Sequence, residues 1–295
     1  MGRSLFDASA AARSVFAQAD AALGRSLSKL CFDGPSEELT LTYNTQPALV
    51  ATSSAIVAAI REQYPTLQLP DYAAGHSLGE YSALVAAGAL SLHDAVLLVE
   101  LRGRAMQQAV PEGEGAMAAI VGGDRSDVEE LCAAAREDGV LEPANFNAPG
   151  QVVLSGSRTA ILRAAELAPE RKLKAILLNV SAPFHCSLMA PAAVRVERAL
   201  RDIVLAEPRF PILANVTGEP NHDANRVREL LVRQIDRPVL WEQSVSLMAE
   251  AGVTHALEIG PGKVLAGLVK RIDKRIAVLN VSDPAGVSAI AEFLR

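Results

Sequence analysis

The 295-residue chain is poor in cysteine, in positive charge and in long apolar runs, and each shortage removes a class of protein. Its 3 cysteines, Cys31, Cys132 and Cys186, lie far apart and form no C-x-x-C pair. That spacing excludes a disulfide framework and a zinc site, and it fits a reducing cytoplasm. Asp and Glu number 34 against 28 Lys and Arg, for a net charge of −6. A nucleic-acid binder would show a basic excess instead. The run ALVATSSAIVAAI (48–60) is too short to cross a bilayer and is interrupted by hydroxyls. The opening MGRSLFDASAAAR lacks the apolar core of a signal peptide. No cluster of His, Cys or carboxylates has metal-ligand spacing, and no internal repeat or low-complexity linker is visible. What is present is apolar residue, 50% of the chain, enough for one large or two modest domains with a real core. The expectation is a soluble, cytoplasmic, globular protein.

Helical periodicity is evident over 4–30, 47–61, 78–88, 91–108, 188–204 and 239–251, and short apolar runs at 72–74, 211–216 and 255–259 read as strands. This alternation points to an α/β protein with a largely parallel sheet. The segment 116–180 has another rhythm. It reads as strand 116–123, helix 127–137, strands 140–147 and 151–157, helix 157–168 and strand 172–180. That β-α-β-β-α-β order is the ferredoxin-like split unit. The expected domains are therefore a larger one, 1–113 plus 182–295, and an inserted subdomain, 114–181.

GHSLG (75–79) follows the apolar run 72–74 and precedes a helix, the setting of a nucleophile elbow. In such a turn, side chains at Gly75 or Gly79 would collide with neighbouring backbone. Ser77 would project its Oγ, and the Leu78 amide at the helix start would serve as an oxyanion donor. The competing reading is a structural turn. Five histidines are candidate bases. His76 points away from its neighbour Ser77 and could line a pocket. His93, in SLHD, belongs to a helix start where Ser91 and Asp94 cap. His222 is a polar loop residue and His255 leads into a strand. His185, after a strand and a proline bend, is the best candidate by elimination. Cys186 beside it reads as a buried thiol.

On the helix 91–108, Leu92, Ala95, Val96, Leu98, Val99 and Met106 form one apolar face, with Glu100, Arg104 and Gln107 opposite. Arg102 falls inside the apolar face. A buried guanidinium keeps its charge and must be paired. Two partners fit: an internal carboxylate, or a carboxylate on a substrate gripped bidentately. EIGPGKVLAGL (258–268) lacks the spacing of a phosphate loop and reads as a tight turn. Asn147 and Gln151, in NFNAPGQVVLSG, are pocket amides or turn formers. The basic runs at 171–174 and 270–275 read as solvated faces.

Seven stretches in order carry a family resemblance: FDGPSEELTLTYNTQPAL (32–49), GHSLGEYSAL (75–84), VELRGRAMQQAVPEGEGAMAAI (99–120), NFNAPGQVVLSG (145–156), SAPFHCSLM (181–189), RPVLWEQSV (237–245) and EIGPGKVL (258–265). The chain resembles the malonyl-CoA:acyl-carrier-protein transacylases of bacterial fatty-acid synthesis and is similar to acyltransferase domains of polyketide synthases. The resemblance implies a hydrolase-like larger domain with a ferredoxin-like insert. It implies that Ser77 carries the acyl group, that His185 is its base, and that Arg102 holds the malonyl carboxylate. It also implies that a backbone carbonyl at Gln234 takes the third position of the triad. Phe184 matches malonyl-selective members, where methylmalonyl-selective ones carry serine. His76, Met106, Asn147 and Gln151 would complete the substrate site. Malonyl-CoA and acyl carrier protein are the implied partners, the chain acts as a monomer, and no cofactor beyond the thioester substrate is called for. The family begins with a strand and a G-Q-G-S-Q loop whose glutamine amide is a second oxyanion donor, and this chain matches only from just after that loop. The expectation is a start assigned at an internal methionine; a shortened, impaired copy is the alternative. A serine esterase sharing the elbow is the other rival, and Arg102 argues against it.

Overall fold

The computed structural model describes residues 1–295. The periodicity over 4–30 is divided among three helices, α1 (Arg3–Ala8), α2 (Ala10–Leu23) and α3 (Leu27–Asp33). The breaks follow from local chemistry. Ser9 accepts from the Ala12 N–H to start α2, Gly24 ends it in the left-handed region, and Ser26 accepts from the Lys29 N–H to start α3. A short α4 (Ser36–Thr40) leads into the long α5 (Thr42–Gln63), which begins at Thr42 rather than 47 and carries Pro47 inside it. β1 (Ala73–Ala74), α6 (Gly79–Ala87) and α7 (Leu92–Gln107) follow.

The next segment runs β2 (Gly115–Val121), α8 (Arg125–Arg136), β3 (Leu141–Ala148), β4 (Gln151–Ser157), α9 (Arg158–Leu167) and β5 (Lys174–Leu177). Its strands form one antiparallel sheet in the order β3-β4-β2-β5, with Ala118 opposite Leu154 and Leu177. Alternation along the strands divides its two faces. Ala118, Ile120 and Leu154 pack with Leu131 of α8 and Ile161 of α9 in a core of their own. Met117, Ala144 and Val153 point the other way, toward Phe184.

The chain continues through α10 (Ala190–Arg201), β6 (Ile212–Leu213), β7 (Pro220–Asn221), α11 (Ala224–Asp236), α12 (Trp241–Glu250), β8 (His255–Ile259), α13 (Val264–Ile272), β9 (Ala277–Val281) and α14 (Pro284–Phe293). The fold is mixed α/β, but the expected largely parallel sheet is present only in pieces. β1 pairs parallel with β6, β6 antiparallel with β7, and β8 parallel with β9 as a separate pair. The first two strands are short because Gly75 closes one and Pro211 opens the other.

The largest core gathers α2, α5, α6, α7 and α10 around residues such as Phe16, Ile56, Tyr81, Leu98 and Val196. The predicted stripe of α7 is buried there, and Arg102 is buried within it at 2% exposure. Gly103 sets the approach of α5 to α7. A Cβ on it would lie 2.6 Å from the Tyr43 Cα and 2.8 Å from the Thr42 carbonyl oxygen. Only glycine therefore lets the start of α5, with Gln46, reach Arg102. No helix is long and apolar enough to cross a membrane.

Candidate active site

Ser77 stands between β1 and α6 with φ of 50°, a conformation in which an L-residue is strained and must be held by its surroundings. Asn215, just after β6, holds it. Its Oδ1 accepts from the Ser77 N–H at 2.7 Å, and its Nδ2 donates to the Gly75 carbonyl at 2.7 Å. A Cβ at Gly75 would lie 1.9 Å from the Gly79 carbonyl carbon, so glycine is obligatory there. Gly79 departs from expectation: a Cβ on it would meet open space, because the crowding falls on its backbone instead. The Ser77 N–H is consumed by Asn215, whereas the Leu78 N–H has no acceptor in the protein. It is a free donor at the N-terminal end of α6, where the helix dipole favours negative charge.

His185 lies in the loop after β5, buried at 3% exposure with φ of 60°. Its Nε2 is 2.7 Å from Ser77 Oγ, and its Nδ1 is 2.8 Å from the Gln234 carbonyl oxygen. A carbonyl only accepts, so Nδ1 carries the hydrogen and Nε2 is left to accept from the serine hydroxyl. The Gln234 carbonyl is available for a local reason. It lies in the last turn of α11, and the residue four positions on is Pro238, which has no N–H to donate. Burial, and then the Arg102 charge, lower the His185 pKa to about 3, so the ring is neutral at neutral pH.

Arg102 donates from Nη1 to Gln46 Oε1 at 2.8 Å, and from Nη2 to Gln234 Oε1 at 2.9 Å and Ser77 Oγ at 3.0 Å. It is in no direct ion pair. The internal salt bridge left open by the sequence is therefore absent. A guanidinium 2% exposed is held by two amide oxygens, a hydroxyl and the face of the Tyr81 ring, 5.4 Å away.

Ser77, Leu78, His76, Arg102, Met106 and Phe184 line one cavity of about 280 Å³. Thr40, Thr42, Thr45, Gln46 and Leu49 complete its wall, and none of these was singled out from sequence. The only signal was their place in the conspicuous stretch 32–49. The remaining candidates lie elsewhere. Asn147 does not line the cavity; its Oδ1 is 2.8 Å from His76 Nε2, bracing that ring from behind. Gln151 does not line the cavity either: it opens β4 across the turn that follows β3, and its Oε1 accepts from Arg271 Nη1 at 2.8 Å. Cys186 is buried, and burial pushes its thiol up to about 11. His93 follows the Ser91 cap of α7, His222 is exposed, and His255 packs edge-on against Phe293. In the 258–268 turn, the Glu258 carboxylate accepts from the Leu265 and Ala266 N–H groups, capping α13. No group of three or more His, Cys, Asp or Glu is placed to hold a metal ion.

The arrangement is that of a serine acyl-transfer site with a buried cation beside the nucleophile. Comparison with known proteins agrees with this chemistry. Residues 1–286 match the family model described as acyl transferase domain. The chain is 45% identical over 297 residues to the malonyl CoA-acyl carrier protein transacylase of Bacillus subtilis, covering all of this chain and 93% of that one. It is 46% identical to the Escherichia coli K12 protein of the same name, over 94% of this chain and 90% of the other. Among solved structures, an acyl-carrier-protein S-malonyltransferase from Bartonella henselae superposes with a TM-score of 0.96 at 44% identity, covering 100% and 94% of the two chains. A malonyl-transacylase solved in complex with a type II PKS acyl-carrier protein superposes with a TM-score of 0.95 at 42% identity, covering 99% and 94%. The chain belongs to the acyl transferase family, among the malonyl CoA-acyl carrier protein transacylases.

Proposed function

We propose that the protein transfers the malonyl group of malonyl-CoA to the phosphopantetheine thiol of acyl carrier protein, through a malonyl ester on Ser77. One observation carries the reading. A buried arginine in no direct ion pair sits 3.0 Å from the nucleophile, so a carboxylate on the acyl group would be the first anion to touch it. Each charge-assisted hydrogen bond to that carboxylate contributes about 1.5–3 kcal/mol, and a neutral acyl group forfeits it.

In the forward half-reaction, His185 Nε2 takes the proton from Ser77 Oγ as the oxygen attacks the thioester carbonyl. The Gln234 carbonyl holds the Nδ1–H and steadies the resulting imidazolium. The oxyanion points at the Leu78 N–H. Collapse breaks the C–S bond, and the coenzyme A sulfur leaves with the proton from His185. The carrier thiol then gives its proton to His185 and attacks the ester, and the C–O bond breaks as Ser77 Oγ takes that proton back from His185. Met106 and Phe184 supply the apolar wall and His76 a polar one.

The same reading assigns a hydrolase-like domain, 1–113 and 182–295, and a ferredoxin-like subdomain, 114–181. The strand order β3-β4-β2-β5 and the separate apolar core of that segment support it. Incubation with malonyl-CoA followed by intact mass measurement is the test. One malonyl adduct is expected, absent in Ser77→Ala and discharged by phosphopantetheinylated carrier protein. An adduct that survives Ser77→Ala, or hydrolysis without transfer, overturns the proposal.

A further inference from the structure

Glu80 takes no part in the chemistry above, yet it is 3% exposed and lies one turn from the nucleophile on α6. Its Oε2 accepts from the Asn215 N–H at 3.1 Å and from Gln234 Nε2 at 2.8 Å. Gln234 Nε2 donates at the same time to the Ser77 carbonyl at 2.8 Å, while its Oε1 accepts from Arg102. One primary amide thus has a carboxylate at its nitrogen end and a guanidinium at its oxygen end. The reverse orientation would set NH₂ against guanidinium and C=O against carboxylate. The two charges therefore fix the amide, and each polarises the bond to the other. Arg102 has no other anion to balance it in the empty site.

We propose that Glu80 is a positioning residue that acts, through the Gln234 amide, as the internal counter-charge of Arg102, and that it takes up a proton when a substrate carboxylate occupies Arg102. The inference rests on reading Arg102 as the carboxylate-binding cation. Two carboxylates around one buried guanidinium compete for its charge, and the one left less balanced is driven to protonate. The substrate's carboxylate touches Arg102 directly, whereas Glu80 reaches it only across an amide, so the proton goes from solvent to Glu80.

The surrounding groups leave Glu80 as the one that titrates near neutrality. Burial raises its pKa to about 7 against the pull of Gln234, Asn215 and Arg102. Arg102 on α7 stays charged. Tyr81 on the same helix as Glu80 is pushed up to about 12 by burial, and His185 is down at about 3. Burial also lowers His76, and Gln234 and Asn215 carry no charge. A second anion weakens the pull of Arg102 on Glu80 and drives it toward the protonated form.

The test is calorimetric titration of Ser77→Ala, which binds malonyl-CoA without turnover, in two buffers of different ionisation enthalpy. Proton uptake close to one per site is expected at pH 8 and close to zero at pH 6, where Glu80 is already protonated. Acetyl-CoA, with the same phosphates and no acyl carboxylate, should show none at either pH. Adding Glu80→Gln should abolish the uptake at pH 8 while malonyl-CoA still binds. Arg102-dependent malonyl-CoA binding without uptake at pH 8, or uptake persisting in Glu80→Gln, overturns the role of Glu80. Equal binding of malonyl- and acetyl-CoA that ignores Arg102→Ala overturns the reading of Arg102 instead. If Glu80→Gln does not fold, the two-substrate, two-pH comparison in Ser77→Ala decides alone.

Discussion

At the scale of single residues, Arg102 is the residue we propose selects the acyl group. An arginine in an apolar stripe is legible in sequence because it breaks a pattern, and the pattern is set by the helix period alone. Its neighbours break no pattern. Gln46 and Gln234 are uncharged, sit 56 and 132 residues away, and become partners only when α5 and α11 fold against α7. Replacing the guanidinium by a methyl group removes the carboxylate's partner and leaves two buried amide oxygens without a donor. The loss of a charge-assisted hydrogen bond, about 1.5–3 kcal/mol, corresponds to roughly ten- to a hundredfold. Arg102→Ala should therefore depress malonyl transfer at least about tenfold more than acetyl transfer, compared as kcat/KM for the two thioesters. Equal losses would remove Arg102 from substrate recognition and leave it a structural ion.

At the scale of elements, the elbow between β1 and α6 is held by close backbone approach as much as by side chains. Gly75 and Gly79 look equivalent in GHSLG, but their surroundings differ. Gly75→Ala drives a Cβ to 1.9 Å from backbone that cannot move without displacing α6, whereas Gly79→Ala puts a methyl group into open space. The first should fail to give a stably folded, acylatable protein. The second should retain the wild-type melting temperature within a few degrees, since a helical glycine whose added methyl group meets nothing gains about 0.5–1 kcal/mol on replacement by alanine. Thermal unfolding of the two variants side by side checks both. The pattern alone could not separate them, because the contact that distinguishes them joins residues across a turn. Gln234 on α11 was illegible for another reason. The helix's inward Val227, Leu230, Leu231 and Ile235 do recur at helical spacing among arginines and a glutamate, but Gln234, the one polar residue among them, breaks no pattern that would mark its contacts with His185 and Arg102. By contrast the antiparallel segment from β2 to β5 was legible element by element. Its strands alternate, its helices carry a clear apolar face, and Asp124 closes a capping box at the start of α8.

At the scale of the whole molecule, the antiparallel segment has its own apolar core and is tied to the rest of the chain by apolar packing, Ala148 against Trp241 and Val245, and by hydrogen bonds. Phe146 N–H donates to the Val239 carbonyl and Val239 N–H to that of Ala144, both at 2.9 Å. Glu142 accepts from the Ser187 N–H at 2.8 Å, two residues beyond His185. The site is thus assembled from distant parts of the chain around buried titratable groups, and those groups couple the site to global stability. Glu80 and His185 do so with opposite signs. The folded-state pKa of Glu80, about 7, lies above its ordinary value of 4.5, so the folded form holds the extra proton and stability falls as pH rises from 4.5 to 7. The folded-state pKa of His185, about 3, lies below its ordinary value of 6.5, so the unfolded form holds the extra proton and stability falls as pH drops from 6.5 to 3. Between 4.5 and 6.5 the two slopes oppose each other. Removing one exposes the other. The unfolding free energy of Glu80→Gln, relative to wild type, should rise by about 3 kcal/mol between pH 4.5 and pH 7. That of His185→Gln, relative to wild type, should rise as pH falls from 6.5 toward 3. Urea unfolding across this range measures both differences. A Glu80→Gln curve running parallel to wild type would mean that the carboxylate is ionised in the folded protein at no cost, and that some nearer cation than Arg102 is holding it.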